Sequence, residues 1–140
     1  MAEFTEEFME KMEQFYENDP FIHVIDMSLV NIEDGQVTLG MPITEKHTNA
    51  HGIAHGGVLM SLADTAMGAS CMSVNKKVVT MDLNINFIRA AKLGENVIAV
   101  AEVLHNGGKT MVSEAKILSE KGDLCAKARG TFFVIDNFVN

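Results

Sequence analysis

The sequence predicts an α+β domain in which a curved antiparallel sheet wraps one long apolar helix. Three observations carry this. Residues 56–75 hold a helix-period face of small and apolar side chains: Leu59, Leu62, Ala63, Ala66 and Ser70. The stretches after it alternate apolar and polar with a period of two and are joined by short turns, so successive strands run antiparallel. A further pair of strands precedes it, and a sheet with one apolar face needs that helix as its second layer.

The elements follow in order. Residues 1–20 are assigned to an N-terminal helix, from about Glu3 to Asn18, because Phe4, Phe8, Met12 and Phe15 form one apolar stripe and Asp19-Pro20 ends it. Strands at His23–Ile32 and Gln36–Met41 flank Glu33-Asp34-Gly35, whose Asp-Gly pair is a hairpin signal. Pro42 to His55 is irregular, and Gly56–Asn75 is the central helix. In Val79–Phe87 the odd positions are apolar and the even ones (Thr80, Asp82, Asn84, Asn86) polar, which makes a half-buried strand. Asn96–His105, Thr110–Leu118 and Leu124–Ile135 complete the sheet, with turns at Asn106-Gly107-Gly108 and Glu120-Lys121-Gly122-Asp123.

The whole of 1–140 reads as one domain. A hydrophobic content of 47 % argues against disorder. No apolar run is long enough to span a membrane, and the acidic, amphipathic start lacks the basic and apolar regions of a secretory signal, so a cytoplasmic location is expected. Cys71 and Cys125 are far apart and form no CxxC pair, which suits buried thiols in a reducing compartment. The net charge of −8 excludes bulk attraction to nucleic acid or an anionic membrane, so any anionic ligand needs a local basic patch.

Asp64 is the only charged residue between Gly56 and Asn75. Its neighbours one turn away, Met60, Ser61, Met67 and Gly68, cannot neutralise it. A carboxylate on an apolar helix is costly to desolvate, so it needs a partner from another element or a cleft to face. At the helix start, His55-Gly56-Gly57 leaves backbone N–H groups open to close approach, in the positive potential of a helix N-terminus. An oxyanion donor and an isolated carboxylate point to acyl transfer. At 1.5 Å per residue, however, Gly56 and Asp64 lie about 12 Å apart on one helix. They serve one carbonyl only if two copies of the helix meet, so the spacing asks for a symmetric dimer.

Three segments carry a resemblance: Asn49-Ala50-His51-Gly52-Ile53-Ala54-His55-Gly56-Gly57, Leu62-Ala63-Asp64-Thr65-Ala66, and Phe87-Ile88-Arg89-Ala90-Ala91-Lys92-Leu93-Gly94-Glu95. Together they resemble the hotdog-fold acyl-CoA thioesterases of the phenylacetate-degradation (PaaI-like) type, over about Ile25 to Val134. The resemblance implies the hotdog fold and hydrolysis of an aryl- or medium-chain acyl-CoA to free acid and CoA. Asp64 is then general base or nucleophile, and the Gly56 N–H is the oxyanion donor across a dimer interface. Asn49 positions the water or the thioester, His55 supports the loop or the leaving thiolate, and Thr80 holds the water. Substrate binding falls to Gly57, to Arg89 and Lys92 at a strand end, and to Gly108 and Lys109 at a hairpin tip. The resemblance also implies a homodimer, paired again into a tetramer, with no cofactor beyond the coenzyme A of the substrate. The chain departs from the family at Ala90, where proline is common. Thr80 sits on the polar side of its strand; if that side faces away from the helix, Thr80 reaches a neighbouring subunit's site or none, unless a bulge redirects it.

Other signals weigh less. His47, His51 and His55 recur every fourth residue, but Gly52 interrupts them and no HExxH pattern is present, so no metal site is assigned. Ser61, Ser70 and Ser73 lack a nucleophile elbow. Cys71, one heptad after Asp64, reads as a buried thiol. Met60, Met67, Met72 and Met81 suit either a core or a loosely selective acyl pocket. A hotdog dehydratase or hydratase would need His55 paired with Asp64, which the Asn49 and His55-Gly56-Gly57 arrangement disfavours. A non-catalytic acyl-CoA-binding protein would have no use for Asp64.

Overall fold

The N-terminal stripe forms a helix because Thr5 caps it. In a computed structural model that describes residues 3–140, α1 runs Glu6–Glu17, and the Thr5 hydroxyl accepts the Phe8 N–H at 3.1 Å. The first two residues of the stretch 1–20 lie outside the described ones. The stripe turns out to be Phe8, Met12 and Tyr16, spaced i, i+4, i+8. Phe15, expected inside, is exposed and packs edge-on against Phe138, as does Phe8 (centroids 5.8 and 5.7 Å).

Pro20 ends α1 but also opens a second helix, α2, Pro20–Val24, with the Asp19 carboxylate accepting the Phe21 N–H at 3.0 Å. This corrects the expected strand start at His23. Proline is as well suited to the first helical turn as to ending a helix, and an aspartate before it is a cap. Asp26, at φ 58°, then reverses the chain, and the strand begins only at Ser28.

Strands β1 (Ser28–Glu33) and β2 (Gln36–Pro42) form a hairpin about Gly35, whose φ of 87° demands glycine. A 3₁₀ turn at Glu45–His47 leads to the central helix α3, Gly56–Ser73. The left-handed Asn75 (φ 66°) stops α3, and its side-chain amide bonds both the N–H and the carbonyl of Val139. The remaining strands are β3 (Lys76–Phe87), β4 (Asn96–Asn106), β5 (Thr110–Ser119) and β6 (Leu124–Asn137).

All pairings are antiparallel, in one six-stranded sheet ordered β1-β2-β4-β5-β6-β3. The sheet curls around α3 because its concave side is lined with small residues: Ala99 and Ala101 on β4, Ser113 and Ala115 on β5, Ala128 and Gly130 on β6. Larger side chains, Leu62, Met67, Ile117 and Phe132, fill the space between them. The hydroxyls of Ser70 and Ser113 meet at 2.7 Å in this core, so neither is buried unpaired. None of the helices is long and apolar enough to cross a membrane among the described residues.

On the convex face, Glu114 pairs with Arg129 at 2.8 Å and Lys127 at 2.9 Å. The hydrogen bond from Arg129, and then that from Lys127, hold its carboxyl below the ordinary glutamate range. A lowered folded value stabilises the protein above the unfolded pKa of about 4.3, and that stability is lost as pH falls through the folded value. Glu114→Gln is therefore expected to cost about 1 kcal/mol at neutral pH. The deficit should vanish as the pH is stepped down through the acid range, followed by denaturant titration at each step. A deficit that does not change with pH would show that packing, not charge, holds this cluster.

Candidate active site

The irregular segment before α3 is built on His47. Its ring is buried; Nδ1 accepts from the Thr44 N–H at 3.0 Å and the Thr44 hydroxyl at 2.8 Å, and Nε2 donates to the Ile25 carbonyl at 2.6 Å. Both ring nitrogens are thus spent on the fold. His51 lies on an exposed turn and His55 caps α3, so the three histidines share no face. Among the described residues no group of three or more His, Cys, Asp or Glu side chains is placed to hold a metal ion.

A tight turn follows. The Asn49 N–H donates to the Ile53 carbonyl at 2.8 Å, and the Asn49 side-chain oxygen accepts the His51 N–H at 2.9 Å. This fixes the Asn49 carboxamide by its oxygen and leaves its NH₂ without a partner among the described residues, as a donor. Backbone contacts with Ala91 and Lys92 tie the turn to the connection between β3 and β4.

His55 is the N-cap of α3, its Nδ1 accepting the Gly57 N–H at 2.9 Å. The proton of the neutral ring therefore sits on Nε2. The bond also uses up the Gly57 N–H, so what Gly57 can offer a substrate is close approach; a Cβ there would stand 3.1 Å from Nδ1. The Gly56 N–H has no acceptor among the described residues, as expected of a first helical residue, and it lies where the helix dipole is positive. One neighbour of Gly56 was not legible in the sequence. The Phe87 ring lies over it, with Cζ 3.2 Å from where a Cβ would stand.

Asp64 lies two turns on, half-buried. Its Oδ1 accepts the Thr80 hydroxyl of the same chain at 2.7 Å. This contact exists because β3 bulges: its pairing with β6 slips between Thr80 and Asp82, leaving Met81 extra. Before the bulge the even positions Val78 and Thr80 face α3; after it Leu83 and Ile85 do. Val79 and Met81, read as inward-facing from the alternation, are exposed (49 % and 60 %). The second carboxylate oxygen has no partner among the described residues. Cys71 takes no part: burial pushes its thiol up to about 12, and it stays protonated.

The basic residues fall into two groups. Arg89 lies 3.4 Å from Glu95 and 3.9 Å from Asp123, so much of its charge is already answered. Lys92 is exposed beside the Asn49 turn; its N–H donates to Glu95, a bond that, with Arg89, holds the Glu95 carboxyl below its usual range. Gly108 and Lys109 are exposed at the β4–β5 tip, near the start of β3, where Lys76 donates to the Gly107 carbonyl at 2.8 Å. The groups thus sit at opposite ends of β3, roughly 36 Å of strand apart.

One apolar helix wrapped by a curved antiparallel sheet is the hotdog arrangement. Residues 51–126 match the thioesterase superfamily. The chain is 32 % identical to acyl-coenzyme A thioesterase PaaI of Escherichia coli over 82 % of each chain, and 37 % identical to human acyl-coenzyme A thioesterase 13 over 75 % of this chain and 77 % of that one. The E. coli PaaI structure superposes with a TM-score of 0.90 at 28 % identity, covering 96 % of this chain and 98 % of that one. A hypothetical thioesterase protein from Streptococcus pneumoniae, solved with coenzyme A, gives 0.77 at 30 % identity, covering 79 % of this chain and 90 % of that one. That protein has also been solved with an aspartate or a threonine replaced by alanine; the two positions are 16 apart, as Asp64 and Thr80 are here. The chain belongs to the thioesterase superfamily, as a PaaI-like hotdog protein, and is a thioester hydrolase.

The contact of Phe87 with Gly56 is testable. Gly56→Ala should cost about 1 kcal/mol in denaturant titrations with Phe87 present, because the ring must shift, and close to nothing in a Phe87→Ala background. An equal cost in both backgrounds would show that the ring does not constrain position 56.

Proposed function

We propose that the chain hydrolyses an aryl- or medium-chain acyl-CoA to free acid and CoA at a site shared by two subunits. The observation that carries this is the half-satisfied Asp64 carboxylate, one oxygen held by Thr80 and the other open, on a helix whose first N–H is free. The named activities and bound coenzyme A of the relatives support the choice of thioester.

In this reading the thioester carbonyl oxygen accepts from the Gly56 N–H, and the Asn49 carboxamide donates to the water or the thioester. Asp64 takes a proton from water as the water oxygen bonds to the carbonyl carbon; the C–S bond then breaks and the thiolate takes up a proton. The alternative is direct attack by Asp64, giving an anhydride that water opens. Thr80 orients the carboxylate in either case, and His55 stabilises the loop by capping α3. A dehydratase is disfavoured because the His55 Nδ1 is committed to that cap.

The partner subunit enters through geometry. Both β1 and β3 are sheet edges, and β3 carries Thr80 and Phe87. Pairing two β3 edges about a twofold axis sets the Gly56 end of one chain against the Asp64 end of the other. It also brings Arg89 and Lys92 of one chain towards Gly108 and Lys109 of its partner, gathering cations for the phosphates of CoA. The exposed Val79, Met81, Phe133 and Ile135 offer an apolar convex face for pairing dimers into a tetramer. Two buried free thiols suit a reducing compartment such as the cytoplasm.

Asp64→Ala and Asp64→Asn should lower kcat by about 100- to 10,000-fold with the fold intact by circular dichroism, and Thr80→Ala by about 10-fold. CoA release from a panel of acyl-CoAs is the assay; near-normal turnover by Asp64→Ala would sink the assignment. Mixing tests the shared site. Asp64→Ala and Gly56→Pro, each inactive alone, should together recover up to about one quarter of wild-type activity, since half of randomly paired dimers are mixed and one of their two sites is intact. No recovery on subunit exchange would place the whole site within one chain.

A further inference from the structure

Away from Asp64, a cleft of about 480 Å³ opens between α1, α2 and the free edge of β1. Its apolar lining comes from Met9, Ile22, Met27, Leu29 and Ile32, and exposed polar residues of α1, α2 and β1 line the rest. Among its polar lining residues Tyr16 is the buried one, only 7 % exposed. The Tyr16 hydroxyl makes no hydrogen bond to any described residue. Yet no fully buried side-chain oxygen or nitrogen among these residues lacks a partner, so this hydroxyl meets open space, and the cleft it lines supplies that space. A buried phenol that spends its donor on nothing inside the protein is arranged for something outside it.

We infer that this cleft is a binding site for a small, neutral, largely apolar molecule that offers one oxygen acceptor to the Tyr16 hydroxyl. The volume lies in the range of small-molecule pockets. Burial, and then the Asp19 carboxylate, push the phenol above its usual pKa, so Tyr16 stays a donor. The rim sets the charge of the ligand. Met9, Glu13 and Glu17 fall four residues apart along one side of α1, placing two exposed carboxylates at the mouth. The only cationic candidate there, His23, contacts the Glu17 carbonyl through Nε2. Anions are therefore repelled, and these include the acid and the CoA that the proposed hydrolysis releases. An extended peptide fits poorly too: β1 is six residues long and slips its register at Val30, which breaks the edge as a template for another strand. This site is separate from Asp64, on the edge of the sheet that does not carry Thr80.

Tyr16 is the only tyrosine and there is no tryptophan, so intrinsic emission reports this one side chain. Titration with 1-octanol should change that emission saturably, and octanoate should not. In Tyr16→Phe, octanol binding followed by methyl chemical shifts of Met27 and Leu29 should weaken about 10-fold, the loss of one hydrogen bond. Glu13→Lys with Glu17→Lys should admit octanoate while leaving octanol binding in place. An emission that never saturates with octanol, a wild-type response to octanoate equal to that for octanol, or undiminished binding by Tyr16→Phe would each overturn the inference.

Discussion

The geometry at the proposed site depends on one hydrogen bond, from the Thr80 hydroxyl to Asp64. It answers the cost of holding a carboxylate on an apolar helix, and it does so with a neutral donor. A lysine or arginine in that place would have tied up the charge in an ion pair and taken its basicity with it. A hydroxyl steadies one oxygen and leaves the other able to accept a proton or attack a carbon. The bond in turn depends on Met81, the extra residue that turns Thr80 inward. Were Met81 paired in the ladder instead, alternation back from Leu83 would turn Thr80 outward, and Asp64 would lose its partner from the sheet.

The helix acts as a ruler for the rest. Its continuous run from Gly56 to Ser73 fixes the separation of the free amide from the carboxylate, and small residues on the sheet hold it close. His47 and His55 serve this rigidity. One ties the approaching loop to Ile25, and the other starts the helix at a defined residue, so that Gly56 is the one with an unspent N–H. The chemistry proposed for the helix ends rests on these two imidazoles, although neither need touch substrate.

Much of this was legible in the sequence, for identifiable reasons. The sheet and helix were written as periods of two and 3.6, and Asp64 stood out because everything around it is uncharged. What stayed hidden was phase. Alternation from Val79 to Phe87 is unbroken in polarity, so nothing marks the residue at which inside and outside exchange. Pro20 signals a stop in the sequence and is also a start, since one fixed φ serves both. Phe15 and Tyr16 are adjacent aromatics, and only the rotation of α1 on the domain, with Phe8, Met12 and Tyr16 inward, decides which is buried. The cover of Phe87 over Gly56 joins residues far apart in the chain and leaves no local trace.

The aromatic contacts of Phe138 with Phe8 and Phe15 join the last residues of the chain to the first helix. On the ribosome the order is the reverse of what this packing needs. α1 emerges before the sheet, and its apolar stripe must wait through the synthesis of all six strands before Phe138 and the Asn75–Val139 clamp arrive to complete its seat. The acidic residues of α1 suit that interval, keeping a waiting amphipathic helix dispersed in water until the sheet is complete.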